Sequence, residues 1–393
     1  MTGGIYLAWR YLVHHRIKSA ILVLAVALIL FLPAGLNVLV GQSAANLTAR
    51  AEATPLLVGA KGSPLGLVLR ALYFESSPPE PTSKAEVLRV RESRLAEAIP
   101  LHVRFRVGDQ PIVGTSLAYF SFRRLDVAAG RLMATLGECV LGAVAAERLG
   151  LAPGDYAVSS PENLFDLAGV YPLRMRVAGV LAPSHGPDDR AVFVDVKTAW
   201  VIEGLGHGHQ ELTNASAQRA VLARDGQRIT ANASVKQYNE ITPETAASFH
   251  FHGDASSYPL TAVIVLPNDE KSRVILMGRY QGADELSQIL RPAPAVESLL
   301  GTVFAVRSYV VAALALVGIA TLAVTALVFM LSLRLRRREV ETLIRIGAAR
   351  ANVAALLAAE VAFVLVVAAT LAGLLTFLTA RTGAEAIRAL LVS

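Results

Sequence analysis

The sequence predicts an α-helical membrane protein with a large mixed α+β extracytoplasmic domain inserted between the first and second transmembrane helices. Three observations predict this fold class. The 393 residues are 54% hydrophobic, and the mean hydropathy of +0.49 is high for a soluble protein. Long apolar runs lie near the two ends of the chain. The stretch between them has the apolar alternation and turn signals of folded protein.

Three apolar segments are long enough to cross a bilayer, because a helix needs roughly 20 apolar residues to span about 30 Å of hydrocarbon. They are residues 19–41, 309–333 and 351–378. The first is longer than the apolar region of a cleaved signal peptide, and two further spans follow it. We therefore interpret it as a transmembrane helix, with cleavage as the minor alternative.

Basic residues predict the orientation, because Lys and Arg in short loops stay on the cytoplasmic side. Arg10, Arg16 and Lys18 flank the first span, and six arginines lie between residues 334 and 350. We expect both regions to be cytoplasmic, with the N-terminus inside and the protein in the inner (plasma) membrane. The net charge of +6 comes partly from these arginines, so nucleic acid is not predicted as a partner.

Boundaries follow from the spans and from the turn signals. The predicted regions are 1–41, the cytoplasmic N-terminus and first transmembrane helix; 42–305, the extracytoplasmic domain, with a core at 42–118 and 256–305 and an inserted lobe at 119–255; 306–333, the second transmembrane helix; 334–350, a cytoplasmic segment; 351–380, the third transmembrane helix; and 381–393, an outer amphipathic segment.

A fourth span is not expected at the C-terminal end. Arg381, Glu385 and Arg388 follow the third apolar run, and each charge costs roughly 2.5–3.5 kcal/mol at the centre of a membrane helix. The sequence instead predicts a short amphipathic helix over residues 384–391, at the outer interface.

Within the outer domain, period-two alternation and apolar runs predict strands, and a 3.6-residue period predicts one helix over residues 84–99. Residues 54–63 are predicted to form a strand and a turn, and the other predicted strands are 102–108, 174–181, 191–196 and 260–267. Residues 76–83 and 212–248 are interpreted as loops. The single cysteine, Cys139, is predicted to be a buried thiol.

Motifs of known catalytic sites are missing from the sequence. Residues 59–63, GAKGS, lack the spacing of a phosphate-binding loop, and neither a GxSxG nor an HExxH pattern occurs. An enzyme is therefore not predicted, and no ATP site is expected in this chain.

The arginine-rich segment between the last two apolar runs has the pattern of an amphipathic helix. Val340, Leu343 and Ile344 share one face, and Gly347 is a natural C-terminal stop. A basic loop that fixes topology and meets anionic lipid head groups explains most of the arginines. It does not explain the apolar stripe, so we favour a docking helix for a cytoplasmic partner.

Residues 336–350, RRREVETLIRIGAAR, resemble the cytoplasmic coupling segment of MacB/FtsX-type ABC transporter permeases. Residues 130–155, GRLMATLGECVLGAVAAERLGLAPGD, followed by RVAGVLAP and AVFVDVKTAW, are similar to the extracytoplasmic domain of that family. The family has four spans, whereas three are predicted here.

The resemblance implies a permease subunit that couples ATP hydrolysis on a separate cytoplasmic ATPase, with Mg²⁺, to movement of the outer domain. It implies a second permease copy, in a homodimer, and a periplasmic partner protein. The implied ATPase-coupling residues are Arg337, Arg338, Glu339, Glu341, Leu343, Ile344, Arg345 and Gly347. The alternative is a membrane-anchored receptor or regulator that binds an extracytoplasmic partner without transport.

Two histidine pairs form a candidate metal site. His207 and His209, and His250 and His252, are each two residues apart, so in strands each pair shares a face. Asp254 lies nearby. Solvated histidines in a flexible loop are the alternative. HFHGD followed by YPLTAVIVLP also resembles a zinc-associated subgroup of these permeases, which implies zinc as the cofactor.

Glu360 is the one acidic residue well inside a predicted span, about ten residues from its start. An ionisable group there must face protein or water. A helix–helix contact and a proton or substrate role are the two interpretations.

Overall fold

The computed structural model describes residues 2–75, 82–160, 172–209, 221–225, 228–231, 238–282, 284–335, 337–345 and 349–390. The chain forms two compact units. One, the helical unit, comprises Met1–Leu47 and Leu299–Ser393; the other, the β unit, comprises Thr48–Ser298.

Helices and strands alternate along the β unit, whereas the helical unit contains helices alone among its described residues. The helices are α1 Thr2–His14, α2 Arg16–Glu52, α3 Pro64–Tyr73, α4 Lys84–Glu92, α5 Ala118–Arg123, α6 Ala143–Leu149, α7 Val196–Ile202, α8 Glu270–Arg279, α9 Pro292–Leu335, α10 Arg337–Arg345 and α11 Arg350–Leu390. The strands are β1 Leu56–Ala60, β2 Thr82–Ser83, β3 Ala96–Val107, β4 Gln110–Thr115, β5 Val127–Gly130, β6 Glu138–Leu141, β7 Tyr156–Val158, β8 Arg174–Leu181, β9 Val192–Asp195, β10 Gly206–Gly208, β11 Val221–Asp225, β12 Arg228–Ala231, β13 Phe249–Phe251, β14 Pro259–Leu260, β15 Ala262–Pro267 and β16 Ser287–Leu290.

Three helices in the described part of the chain are long and apolar enough to cross a membrane, as the sequence predicts. Their apolar segments are Arg16–Gln42, Pro292–Val328 and Val353–Thr382. The prediction of a separate helix over residues 384–391 is wrong, because residues 384–390 continue α11 without a break. The Ala, Glu, Ile, Arg and Leu residues of this stretch favour a helix, so nothing in them ends α11.

The helical unit packs α1 and α2 against α11. The rings of Trp9 and Phe363 meet edge to face with centroids 5.0 Å apart. Leu12, Leu22 and Val364 form a buried cluster beside this contact. The helix α1 was not predicted from the sequence, because its apolar residues are too few to suggest a membrane span.

The β unit is organised around one sheet. Among the described residues, ten strands pair in the order β16-β1-β15-β3-β4-β9-β6-β8-β5, with β7 paired to β8. The parallel pairing of β4 with β9, in which Ile112 lies opposite Val192, joins strands of the predicted core to those of the predicted lobe. The predicted core and lobe therefore share a continuous sheet.

The predicted strands are confirmed as β1, the second half of β3, β8, β9 and the β14–β15 segment. The helix prediction for residues 84–99 is wrong after α4 ends at Glu92. The chain turns there because Ser93 Oγ accepts from the Leu95 amide and Arg94 adopts a φ of 56°. From Ala96 the chain enters β3, where it pairs with β15.

The loop interpretation of residues 212–248 is also wrong in part. Antiparallel strands β11 and β12 lie within this range, with Asp225 at the end of β11 opposite Arg228 at the start of β12. The predicted loop at 76–83 lies outside the described residues except for β2.

Cys139 is buried and makes no disulfide, as predicted, and burial raises the pKa of its thiol to about 12.

A buried ion pair fixes the C-terminal end of α2 inside the β unit. Arg50, in the last turn of α2, makes a bidentate contact with Asp188, at 2.6 and 3.0 Å. Its Nη2 also donates to the Tyr119 hydroxyl at 2.9 Å, and its Nε donates to the Leu72 carbonyl. The Tyr119 hydroxyl in turn donates to Asp188 at 2.7 Å. We call Arg50, Asp188 and Tyr119 the Arg50 clamp.

The ion pair of the clamp is buried from solvent, since the Arg50 and Asp188 side chains are only 10% and 4% exposed. Burial alone would raise the pKa of Asp188, but the charge of Arg50 and the bonds from Arg50 and Tyr119 outweigh it and lower that pKa. A carboxyl with a depressed pKa contributes stability above its ordinary pKa of about 4, and that stability is lost as the pH falls through the depressed value.

Removing one charge of the clamp should destabilise the β unit. We expect Asp188→Asn to lower its free energy of unfolding by about 3–5 kcal/mol, because the Arg50 charge stays buried without its partner. The measurement is denaturant unfolding of the full chain followed by Trp200 fluorescence in a Trp9→Phe background. Glu270→Gln, which removes an exposed ion pair with Arg273, is the control and should change little. Equal effects of the two substitutions would contradict the role of the clamp.

Candidate functional site

The predicted docking segment forms a separate helix between two long apolar helices. α9 ends at Leu335, α10 occupies Arg337–Arg345, and α11 begins at Arg350. The sequence-predicted residues Arg337, Arg338, Glu339, Glu341, Leu343, Ile344 and Arg345 all lie in α10, whereas Gly347 lies outside the described residues. The helix predicted from the spacing of apolar residues is therefore present.

Both charged and apolar groups of α10 are exposed. Arg338, Glu341 and Arg345 are exposed, and so is the apolar side chain of Ile344, at 38%. Thr342, on the side away from Ile344, bonds to the Arg338 carbonyl within the helix. The described side chains of α10 therefore present both charge and apolar surface.

Glu360 lies in α11 and is 5% exposed. It lies about ten residues after the start of α11, as predicted from the sequence. A buried carboxyl in a membrane helix faces protein rather than hydrocarbon, so a helix–helix contact and a proton or substrate role both remain interpretations of this residue.

The two histidine pairs meet in the β unit across a short antiparallel ladder. β10 pairs with β13 so that Gly206 lies opposite Phe251, His207 opposite His250 and Gly208 opposite Phe249. Because alternate residues of a strand share a face, the histidines lie on one face and the phenylalanines on the other. We call His207, His209, His250 and His252 the histidine cluster.

The glycines of β10 are required by the phenylalanines of β13. A Cβ atom on Gly206 would lie 2.7 Å from the Phe251 ring, and one on Gly208 would lie 2.5 Å from the Phe249 ring. Both rings pack against the apolar core of the β unit. In this ladder Gly-His-Gly-His pairs with Phe-His-Phe-His. One face is therefore covered by the phenylalanine rings, and the other face carries the imidazole rings.

The rings of the cluster are in mutual contact. The His207 ring centroid lies 5.8 Å from that of His209, 4.9 Å from that of His250 and 4.8 Å from that of His252. Among the described residues, the ligand nitrogens of His207, His209 and His250 form a group in which all lie within 4.8 Å of one another. The structure therefore brings together side chains from two segments that are about forty residues apart.

His252 and Asp254 stand at the edge of this group. The His252 ring contacts those of His207 and His250, but its nitrogens fall outside the group of three. The Asp254 carboxylate accepts from the amide and the hydroxyl of Ser256. These two bonds lower the pKa of Asp254 and orient its oxygens toward the following turn.

Two further features bear on the nitrogens of the cluster. Burial, and then the neighbouring His250, His252 and His209, lower the pKa of His207. His250 Nδ1 lies 3.0 Å from the Ser248 carbonyl oxygen. Since a carbonyl only accepts, Nδ1 donates in this bond, and Nε2 is the ring nitrogen that remains for a ligand.

Comparisons with known proteins agree with this architecture. Residues 19–238 match the family model described as the MacB-like periplasmic core domain. This match covers more than half of the chain. The protein belongs to the MacB/FtsX-type ABC transporter permeases. Membership in this family implies a cytoplasmic ATPase partner and a dimer, and the MacB-like β unit is an extracytoplasmic domain.

The chain is also similar to two solved structures. The periplasmic region of MacB from Actinobacillus actinomycetemcomitans is 13% identical, with a TM-score of 0.35, over 64% of this chain and 94% of that one. The extracellular domain of the noncanonic ABC-type transporter YknZ from Gram-positive bacteria is 12% identical, with a TM-score of 0.31, over 60% of this chain and 99% of that one. No curated protein sequence matches this chain.

Sequence reasoning missed three parts of this arrangement. The Arg50 clamp joins residues far apart in sequence, and no local pattern signals it. The packing of Phe249 and Phe251 over Gly206 and Gly208 was missed too, although the matched alternation of the two segments could have predicted their pairing. The helix α1 was also missed.

The glycines of β10 should be intolerant of substitution. We expect Gly208→Ala to lower the free energy of unfolding of the β unit by about 1–3 kcal/mol, because the new methyl group must displace the Phe249 ring from the core. Gly278→Ala in α8, where a Cβ atom meets nothing within 4 Å, is the matched control and should raise stability by up to about 1 kcal/mol. Denaturant unfolding followed by Trp200 fluorescence, in the same Trp9→Phe background, measures both. Unchanged stability in Gly208→Ala would contradict the packing.

Proposed function

We propose that this chain is the membrane subunit of an ABC transporter in which a separate cytoplasmic ATPase grips α10 and drives movement of the extracytoplasmic β unit. Two copies of the chain assemble around a two-fold axis, so that each copy meets one ATPase. The chain resides in the inner membrane with its N-terminus and α10 in the cytoplasm. Its own role is mechanical, and the catalytic site for ATP lies on the partner.

The observation that carries this proposal is α10 itself. A short helix with exposed Arg338, Glu341 and Arg345 supports a docking function because it lies in the chain between α9 and α11, which both contain a membrane-spanning segment. A partner that displaces α10 therefore acts on two spans at once. A loop that only fixed topology would not need the exposed apolar side chain of Ile344.

The Arg50 clamp supports the second half of the proposal, which is transmission of movement to the β unit. α2 contains the apolar segment Arg16–Gln42 and continues as one helix to Glu52. Its last turn is held in the β unit by a bidentate ion pair and by bonds to Tyr119 and Leu72. A helix held in this way moves with the segments that hold it, and rigid-body motion of this kind is a known vehicle for coupling. No substrate has to cross the membrane for such work to be done.

A single charge on the apolar side of α10 should break the contact with the ATPase. We expect Ile344→Asp to reduce co-purification of the ABC ATPase by at least tenfold, since a buried carboxylate in an interface is strongly unfavourable. Thr342→Asp, which adds the same charge on the other side of the same helix, should retain most of it. The measurement is the amount of ATPase and the rate of ATP hydrolysis in the complex purified through this chain.

Circular dichroism and thermal unfolding of both variants establish that α10 and the membrane helices remain folded. Retention of the ATPase and of its activity in Ile344→Asp would contradict the docking function of α10. A chain that retains its extracytoplasmic partner but never carries an ATPase, in the unmodified form as well, would instead identify a membrane-anchored receptor.

A further inference from the structure

The histidine cluster has no part in the proposed coupling mechanism, yet the fold of the β unit holds its side chains in a defined arrangement. Its side chains come from two segments that the fold pairs in register, His207 directly opposite His250. The opposite face of the same ladder is filled by Phe249 and Phe251, which pack on the core. The position of the imidazoles is therefore set by the core and not by a free loop.

The donor set selects a class of metal ion. Imidazole nitrogen suits Zn²⁺ and neighbouring transition metals, whereas Ca²⁺ and Mg²⁺ prefer oxygen ligands. The carboxylate of Asp254, two residues after His252 in the sequence, is engaged by Ser256. We propose that His207, His209 and His250 bind one Zn²⁺ ion, with His252 or a water molecule completing a tetrahedral coordination shell.

The geometry needs only side-chain rotation to reach coordination. Zn–N bonds of about 2.0–2.1 Å place neighbouring ligand nitrogens of a tetrahedral site about 3.3 Å apart. The three nitrogens here lie within 4.8 Å of one another, so a closure of roughly 1.5 Å is enough. Rotation about the two side-chain torsions of His207 and His209 covers this distance while the ladder stays in place.

The surroundings orient one ligand in advance. The bond from His250 Nδ1 to the Ser248 carbonyl fixes the ring and leaves Nε2 as the metal-binding atom, as backbone carbonyls do for histidines in zinc sites. The Tyr258 hydroxyl donates to the His252 carbonyl at 2.9 Å, which anchors the chain just after β13. Tyr258 itself is buried in the core of the β unit.

The position of the site on the β unit indicates a labile site, with ligands at the surface and a coordination position open to His252, water or a ligand from another molecule. Structural zinc sites are closed by four fixed protein ligands. An open site permits the ion to be exchanged, so the β unit would respond to zinc or pass it on outside the membrane. This inference rests on the histidine cluster and is independent of the proposed docking of the ATPase on α10.

Direct metal titration of the full chain tests the site. The protein is purified in detergent without a histidine tag, stripped with a chelator and titrated with Zn²⁺ against a chromogenic chelator. We expect one ion per chain, and at least a hundredfold weaker binding in His207→Ala combined with His250→Ala. His14→Ala combined with His15→Ala, which removes two neighbouring histidines of the helical unit, is the matched control and should leave the affinity unchanged.

Cobalt substitution provides a second readout that reports the ligands themselves. Bound Co²⁺ should give the strong visible absorption of a four-coordinate site, and His209→Gln should weaken or shift that absorption while the thermal unfolding temperature without metal stays close to that of the unmodified chain. The proposal is overturned if less than half an equivalent of Zn²⁺ binds. It is also overturned if the His14 and His15 control loses binding to the same extent as the cluster variant.

Discussion

The bidentate contact between Arg50 and Asp188 is the interaction on which the rest of this account depends. A transmembrane helix can transmit movement only if its end is held by the domain that has to move. Arg50 lies at that end of α2, and its guanidinium group makes four hydrogen bonds: two to Asp188, one to the Tyr119 hydroxyl and one to the Leu72 carbonyl. A lysine could not satisfy this geometry, because its ammonium group lacks the planar fork of arginine.

The cost of this arrangement is the desolvation of two charges, which their attraction offsets only when the geometry is good. The hydroxyl of Tyr119 satisfies a further lone pair of Asp188, and the turn Pro187–Arg190 that carries Asp188 passes so close to Gly142 that a Cβ atom there would lie 2.2 Å from a backbone oxygen. A buried pair of this kind stabilises little compared with apolar residues. Its value lies in the single orientation that it allows.

The sequence was sufficient to predict what depends on local pattern. The three apolar segments, the strands with period-two alternation and the amphipathic helix α10 all follow from the spacing of apolar residues. The sequence was not sufficient where tertiary contacts determine the secondary structure or bring distant residues together. Residues 96–99 have a helical pattern, but pairing with β15 makes them a strand, and the Arg50 clamp joins partners more than a hundred residues apart. The histidine pairs were predicted from spacing, whereas their meeting depends on the register between β10 and β13.

In the proposed mechanism, work done on α10 by an ATPase appears as movement of the extracytoplasmic β unit. A spin label at Val158→Cys, an exposed position at 52% in β7, gives the distance between the two copies in the complex, and the buried thiol of Cys139 stays unlabelled. We predict that this distance changes when ATP is trapped with vanadate, and that Asp188→Asn reduces the change while ATP hydrolysis continues. An unchanged distance in a complex that hydrolyses ATP at its full rate would contradict the account.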